Sequence, residues 1–164
     1  MISYVKGDAT QPQGEGNKLV IHIVNDVGRF GSGFALAVLK RYPIVKESYL
    51  QPFANDKPLK LGDVQFIKVA DDLWFANMVA QHGVIGPGNP MPIQYDALRK
   101  CLREVCLFSK RMNPQDNTKF PDEQWSVFGP KFGSGLAGGK WIVVEQIIQD
   151  ELIKNNIDVT IYEL

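Results

Sequence analysis

Two glycine-rich stretches are the first places in this sequence where backbone atoms could do chemistry. Gly28-Arg29-Phe30-Gly31-Ser32-Gly33 and Gly133-Ser134-Gly135-Leu136-Ala137-Gly138-Gly139 each follow a strand-like run and precede a helix-like one. In open α/β sheets, ligands bind outside the carboxyl ends of the strands. A helix N-terminus there offers free N–H groups and the positive end of the dipole. Glycine lets the backbone approach an anion with no Cβ in the way. Two such loops could grip the two phosphates of a diphosphate from opposite sides. Neither is a P-loop, because the Gly-Lys-Ser/Thr ending is missing, and Gly28-x-x-Gly31-x-Gly33 departs from the Rossmann order. The pattern points to a phosphate-bearing small molecule without choosing which. Among the side chains, His82 falls in a loop after a strand, on the side where a ligand should bind. Its imidazole can act as a general acid near neutral pH, and Asp26 is a candidate for orienting a water. His22 lies inside an apolar run and reads as a core histidine.

These groups need elements to hold them. Ile2–Lys6 is a short strand candidate ended by Gly7-Asp8. Lys18–Asn25 (KLVIHIVN) suits a central strand buried on both faces. Phe34–Tyr42 reads as a helix stopped by Pro43, and Val45–Phe53 as a second short helix. Asp63–Ala70 and Leu73–Val79 form an expected antiparallel hairpin joined at Asp71-Asp72. Gln81–Pro92 carries three glycines and three prolines and is expected to be a loop. Ile93–Met112 is the longest helix expected, with Leu98, Leu102 and Val105 on its core stripe. Asn113–Gln124 is polar and expected to be a surface loop. Trp125–Phe128 is a strand, Trp141–Asn155 a helix with Val144, Ile147, Ile148 and Leu152 on one side, and Asp158–Tyr162 a last strand. Strands separated by helices imply an α/β architecture with helices on both faces of a mixed sheet.

Composition sets the outer limits. A length of 164 residues fits one domain. Lys plus Arg equals Asp plus Glu, so the formal net charge is zero and there is no electrostatic argument for nucleic acid. Cys101 and Cys106 match neither a zinc spacing nor a disulfide framework, and reduced thiols in the cytoplasm are expected. No apolar run approaches the ~20 residues that span a bilayer, and the first residues lack signal-peptide character.

The chain resembles the macrodomain family along its whole length. Val5-Lys6-Gly7-Asp8 is similar to the family's opening after the first strand. Val24-Asn25 with Gly28–Ala35 (GRFGSGFA) resembles its first phosphate loop, and Phe132–Trp141 (FGSGLAGGKW) its second. Gln94–Leu98 resembles the start of the helix between them. The resemblance implies a three-layer α-β-α fold with a mixed central sheet, residues 1–164 forming a single macrodomain. It also implies an ADP-ribose site in which Asp8 accepts from the adenine amino group and Asn25 contacts the distal ribose. Gly31, Ser32, Gly33 and Phe34 would wrap the diphosphate and distal ribose, while Gly133, Ser134, Gly135, Leu136, Ala137 and Gly138 close over the other side. Tyr162 falls near where the family places an aromatic against adenine.

For activity, the resemblance is to the stand-alone ADP-ribose 1″-phosphate phosphatases and terminal ADP-ribose glycohydrolases. The glycohydrolases use a lysine after the strand before the long helix, and some add an aspartate after Gly-x-Gly-Leu. Gln81 and Ala137 stand at those positions here, and a glutamine amide is neither basic nor usefully nucleophilic. The expectation is therefore a hydrolase of the ADP-ribose 1″-phosphate phosphatase type, with His82 and Asp26 as catalytic candidates. The alternatives are a non-catalytic ADP-ribose reader and a mono-ADP-ribosyl hydrolase that removes ester-linked ADP-ribose without the usual pair. The expected partner is ADP-ribose or a derivative such as ADP-ribose 1″-phosphate or an ADP-ribosylated protein. No cofactor, metal or membrane is expected, and the chain is expected to be a monomer.

Overall fold

The structure, a computed structural model, describes residues 1–113 and 124–164. The expected polar loop over 113–124 lies almost entirely outside them. The central run forms strand β2, Asn17–Asn25, after β1, Ile2–Lys6. Its alternation divides two cores. Leu19 and Ile21 face one side, Val20 and Val24 the other, all but sealed from solvent. This is the period-2 arrangement of a strand buried on both faces.

Two helices follow, α1 over Gly33–Arg41 and α2 over Pro43–Ala54. Pro43 does more than end α1, because it occupies the first turn of α2, where its missing N–H costs nothing. Strands β3, Val64–Ala70, and β4, Leu73–Gln81, pair antiparallel as the expected hairpin. The long helix α3 spans Tyr95–Met112, then come β5, Trp125–Pro130, helix α4, Trp141–Glu151, and β6, Val159–Glu163. The sheet order is β1-β6-β5-β2-β4-β3, parallel except at β3, so the sheet is mixed as expected. Helices α1 and α2 pack on one face with Phe75 and Tyr49, and α3 and α4 cover the other with Met78 and Ile161. The result is the three-layer α-β-α arrangement.

Several boundaries differ from the sequence reading, and three of them have a visible reason. Helix α3 starts at Tyr95 because the two residues before it are held extended: Ile93 bridges to Gln81 and donates to Ala137 O at 3.0 Å, and Gln94 (φ −117°, ψ 105°) donates to Ala80 O at 2.7 Å. Strand β4 continues to Gln81, so that residue is not in the loop. A register shift accompanies the extension, pairing Val24 with Val79 but Asn25 with Gln81. Helix α4 ends at Glu151, and a 3₁₀ turn over Ile153–Asn155 closes on Asn156 in the left-handed conformation (φ 64°). Among the described residues, no helix is long and apolar enough to cross a membrane.

The parallel pairing places the ends of β2, β4 and β5 at one edge of the sheet. From there β2 runs into helices on one face, while the neighbouring β5 runs into α4 on the other. That reversal opens a crevice between the two strands, and both glycine-rich loops leave the sheet there.

Candidate functional site

The first loop is held by side chains. Asn25, 7% exposed at the end of β2, accepts on Oδ1 from the N–H groups of Val27 and Arg29 at 3.1 and 3.2 Å, and its Nδ2 donates to Arg29 O at 2.7 Å. From α2, the fully buried Tyr49 hydroxyl lies 2.6 Å from Asn25 O and 2.7 Å from Asn25 Oδ1, sharing its proton between them, and accepts from Gly28 N–H at 3.1 Å. Burial pushes the Tyr49 hydroxyl up to about 12, so it keeps that proton at any physiological pH. Gly33 then opens α1 at φ 56°, a left-handed value that favours glycine, and a Cβ there would stand 3.2 Å from Leu136 Cδ1 in the second loop. No side chain caps α1 and no acid lies in its first turn, which leaves its N–H groups and positive dipole end available.

The second loop is held by backbone. Gly139 N–H donates to Gly133 O at 2.7 Å, Gly138 N–H to Gly135 O at 3.0 Å, and Ala137 O accepts from Ile93 N–H. Gly138 (φ 72°) passes so close to the neighbouring loop that a Cβ would lie 2.4 Å from Pro90 O. Helix α4 does not bring its N-terminus to the cleft wall. It starts at Trp141, beyond Ala137, and the Lys140 N–H before it is taken by the Tyr95 hydroxyl at 3.0 Å. The two loops are thus not equivalent: the first can offer a helix N-terminus, the second only its own turns.

Between them lies a cleft of about 860 Å³, in the range of small-molecule sites. Asn25, Gly31, Ser32, Gly33, Phe34, Gly133, Gly135, Leu136 and Ala137 all line it, so most of the expected site residues come together. Ser134 and Gly138 support the second loop from outside its walls, and Ser134 Oγ donates to Lys131 O at 3.1 Å. Asp8 does not line this cleft either. Its Oδ1 accepts from Thr10 N–H at 2.9 Å and Thr10 Oγ1 at 2.7 Å in a local turn. Partial burial pushes the Asp8 carboxyl up, but the Thr10 hydrogen bonds outweigh it and hold the group below the ordinary carboxylate range. Tyr162 is packed, its ring against the backbone of Gly7 and its hydroxyl accepting from Gln13 N–H at 2.9 Å.

Sequence reasoning missed the cations. Arg29, Lys46 and Lys131 line the cleft, and no carboxylate does among the described residues. Lys131 also pairs with Glu163 Oε1 at 2.8 Å and lies 5.7 Å from the Tyr4 ring centroid. Arg29 and Lys131 sit in or beside the glycine stretches and could have been read as their charges. Lys46 and Tyr49 lie on α2, whose sequence carries no motif.

His82 and Asp26, far apart in the chain, are brought together. His82 Nδ1 is 2.7 Å from Asp26 Oδ2, and Gly83 N–H donates to Asp26 Oδ1 at 2.9 Å. Burial pushes the Asp26 carboxyl up, but the Gly83 N–H and the imidazole together hold it below its ordinary value. The imidazole is 70% exposed, so Nε2 points away from the core. Neither residue lines the cleft, but their neighbours Asn25, Gln81 and Val84 do. Gln81 turns its amide onto Gly83 O at 3.3 Å. His22 is buried as expected, with Nε2 2.6 Å from Asn77 Oδ1, but it also lines the cleft.

No protein-family model matches the chain. It is 44% identical to a protein of unknown function from Bacteroides thetaiotaomicron, with a TM-score of 0.88 over 100% of this chain and 98% of that one. It is 36% identical to a macrodomain protein from Streptomyces coelicolor, with a TM-score of 0.80 over 100% of this chain and 99% of that one. Among curated proteins it is 29% identical over 174 residues to the mouse chromodomain-helicase-DNA-binding protein 1-like, a match that takes in 98% of this chain but 17% of that protein. The chain therefore spans only a small part of that relative's length. The structure of Thermosipho africanus DarTG in complex with ADP-ribose shares the fold, with a TM-score of 0.63 at 22% identity over 88% of this chain and 37% of that one.

Proposed function

This chain belongs to the macrodomain family, and from that premise we propose that its cleft binds ADP-ribose or a derivative and hydrolyses a bond at the distal ribose. The observation that carries the reading is the cleft itself. Two glycine loops meet across a strand reversal, with the open α1 N-terminus on one side, and Arg29, Lys46 and Lys131 are the charged residues lining it among the described ones. Such a site suits a diphosphate. A related fold, DarTG, has been captured with ADP-ribose. In this reading residues 1–164 form one macrodomain. Calorimetric titration with ADP-ribose tests it, and saturable binding is expected. A flat titration refutes it.

The bond proposed is the phosphoester of ADP-ribose 1″-phosphate. Water attacks phosphorus, the bond from phosphorus to the ribose oxygen breaks, and protonated His82 delivers its Nε2 proton to that oxygen. Asp26 orients the imidazole through Nδ1. The proton lost by water restores the imidazolium, and the products are ADP-ribose and inorganic phosphate. A lysine-dependent route is not part of this reading, because Gln81 and Ala137 stand where its groups would be. Phosphate release from ADP-ribose 1″-phosphate is the assay. One observation favours a non-catalytic reader instead: no carboxylate lines the cleft among the described residues to activate a water. ADP-ribose binding without phosphate release or loss of ADP-ribose from a modified protein would establish that second reading.

A further inference from the structure

His22 is only 2% exposed, yet it forms part of the cleft floor. Its ring is fixed by edge contacts to Phe30, Phe34 and Phe75, with centroids 5.9, 5.5 and 6.3 Å away. Behind it runs a polar chain with a single consistent direction. Ser48 O, a backbone carbonyl, can only accept, so the Gln65 group 2.9 Å away must be its Nε2 donor. Gln65 Oε1 then faces Asn77 Nδ2 at 3.1 Å, which leaves Asn77 Oδ1 facing His22 Nε2 at 2.6 Å. Two acceptors cannot pair at that distance, so Nε2 carries the proton and Nδ1 the lone pair.

Nδ1 has no partner among the described residues. Because His22 itself lines the cleft, Nδ1 is the acceptor its ring has left to offer a ligand there. A phosphate oxygen would repel it, whereas a hydroxyl would complete it.

We propose that His22 is a ligand-binding residue whose Nδ1 accepts a hydrogen bond from a sugar hydroxyl, with Asn77, Gln65 and Ser48 O fixing the tautomer that makes this possible. The proposal rests on the reading that the cleft binds ADP-ribose, and it places a ribose rather than the diphosphate over His22. Burial supports it by holding the imidazole neutral, its pKa lowered to about 4.

Long-range proton–nitrogen NMR on the ¹⁵N-labelled native chain reads both nitrogens of His22. The expected result is the Nε2–H tautomer and an upfield move of the Nδ1 resonance when ADP-ribose saturates the site. The Nδ1–H tautomer, or an Nδ1 resonance unmoved by ADP-ribose that calorimetry shows bound, overturns the proposal and leaves the binding site standing. If the native chain binds no ADP-ribose, both readings fall together. His22→Phe keeps the ring packing and removes the acceptor, so the Kd for ADP-ribose should rise ~10-fold. A Kd within twofold of native in the folded variant also refutes the proposal. The NMR test needs no variant, so it stands even if His22→Phe does not fold.

Discussion

Tyr49→Phe removes one oxygen from a fully buried ring and tests how the first glycine loop is held. The hydroxyl serves Gly28 N–H at 3.1 Å and Asn25 at 2.6 and 2.7 Å. The ring itself stays packed on Phe30 and Phe53, so no sizeable cavity opens and the loss is one of hydrogen bonding. Asn25 Oδ1 keeps the Val27 and Arg29 N–H groups, whereas Gly28 N–H loses its partner. A half-buried donor left unpaired at Gly28, plus the lost bond to Asn25, costs about 2 kcal/mol. In a chain of this size that lowers Tm by ~4–8 °C. If binding must re-order the loosened loop, the same energy appears in affinity, and the Kd for ADP-ribose rises by up to ~30-fold. Scanning calorimetry and titration of one sample read both effects. A Tm within 1 °C of native together with an unchanged Kd would refute the claim that Tyr49 holds the loop.

Other consequences follow from the same geometry. Gly33→Glu places a side chain at φ 56° against Leu136 and a carboxylate at the proposed phosphate site; the expected outcome is loss of ADP-ribose binding by more than ~100-fold in titration. Gly138→Ala sets a Cβ against Pro90 O at φ 72°, and urea unfolding should show a loss of ~2–4 kcal/mol. His82→Ala should leave the Kd for ADP-ribose within ~3-fold of native and lower phosphate release by ~100-fold or more. Because burial lowers His22 from the ordinary 6.5 to about 4, the unfolded chain binds the extra proton between those values. Its contribution is fully present above pH 6.5 and is lost as pH falls to about 4, amounting to ~3 kcal/mol, so urea unfolding should weaken over that window and His22→Phe should flatten the slope.

How much of this was legible in the sequence varies by interaction. Strand β2 was, because alternating burial on both faces leaves a β-branched run. So were both glycine loops, whose composition is local. The start of α3 was not, since Ile93 and Gln94 are drawn into bonds with Ala137 and Ala80, the first of them 44 residues away. No local propensity encodes such a partner. The Asp26–His82 contact was legible only as two separate candidates. Lys46 and Tyr49 were invisible for the same reason, because Lys46 reaches the cleft, and Tyr49 the base of the first loop, only after α2 folds back over β2.

The way the loops are anchored makes the end of β4 more consequential than either glycine stretch. At the register shift beside Val24, Ala80 drops out of the pairing with β2, and its O accepts from Gln94 N–H. Gln94 follows Ile93, the residue that holds Ala137 in the second loop. One residue on, Gln81 O accepts from Asp26 N–H at 3.0 Å, at the root of the first loop. His82, next in sequence, clasps the Asp26 side chain, and its own N–H donates to Pro92 O at 2.8 Å. Three consecutive residues of β4 and its exit thus touch the supports of both walls. Loop spacing depends on this short segment, so the proposed catalytic histidine lies where a change in that spacing would be felt first.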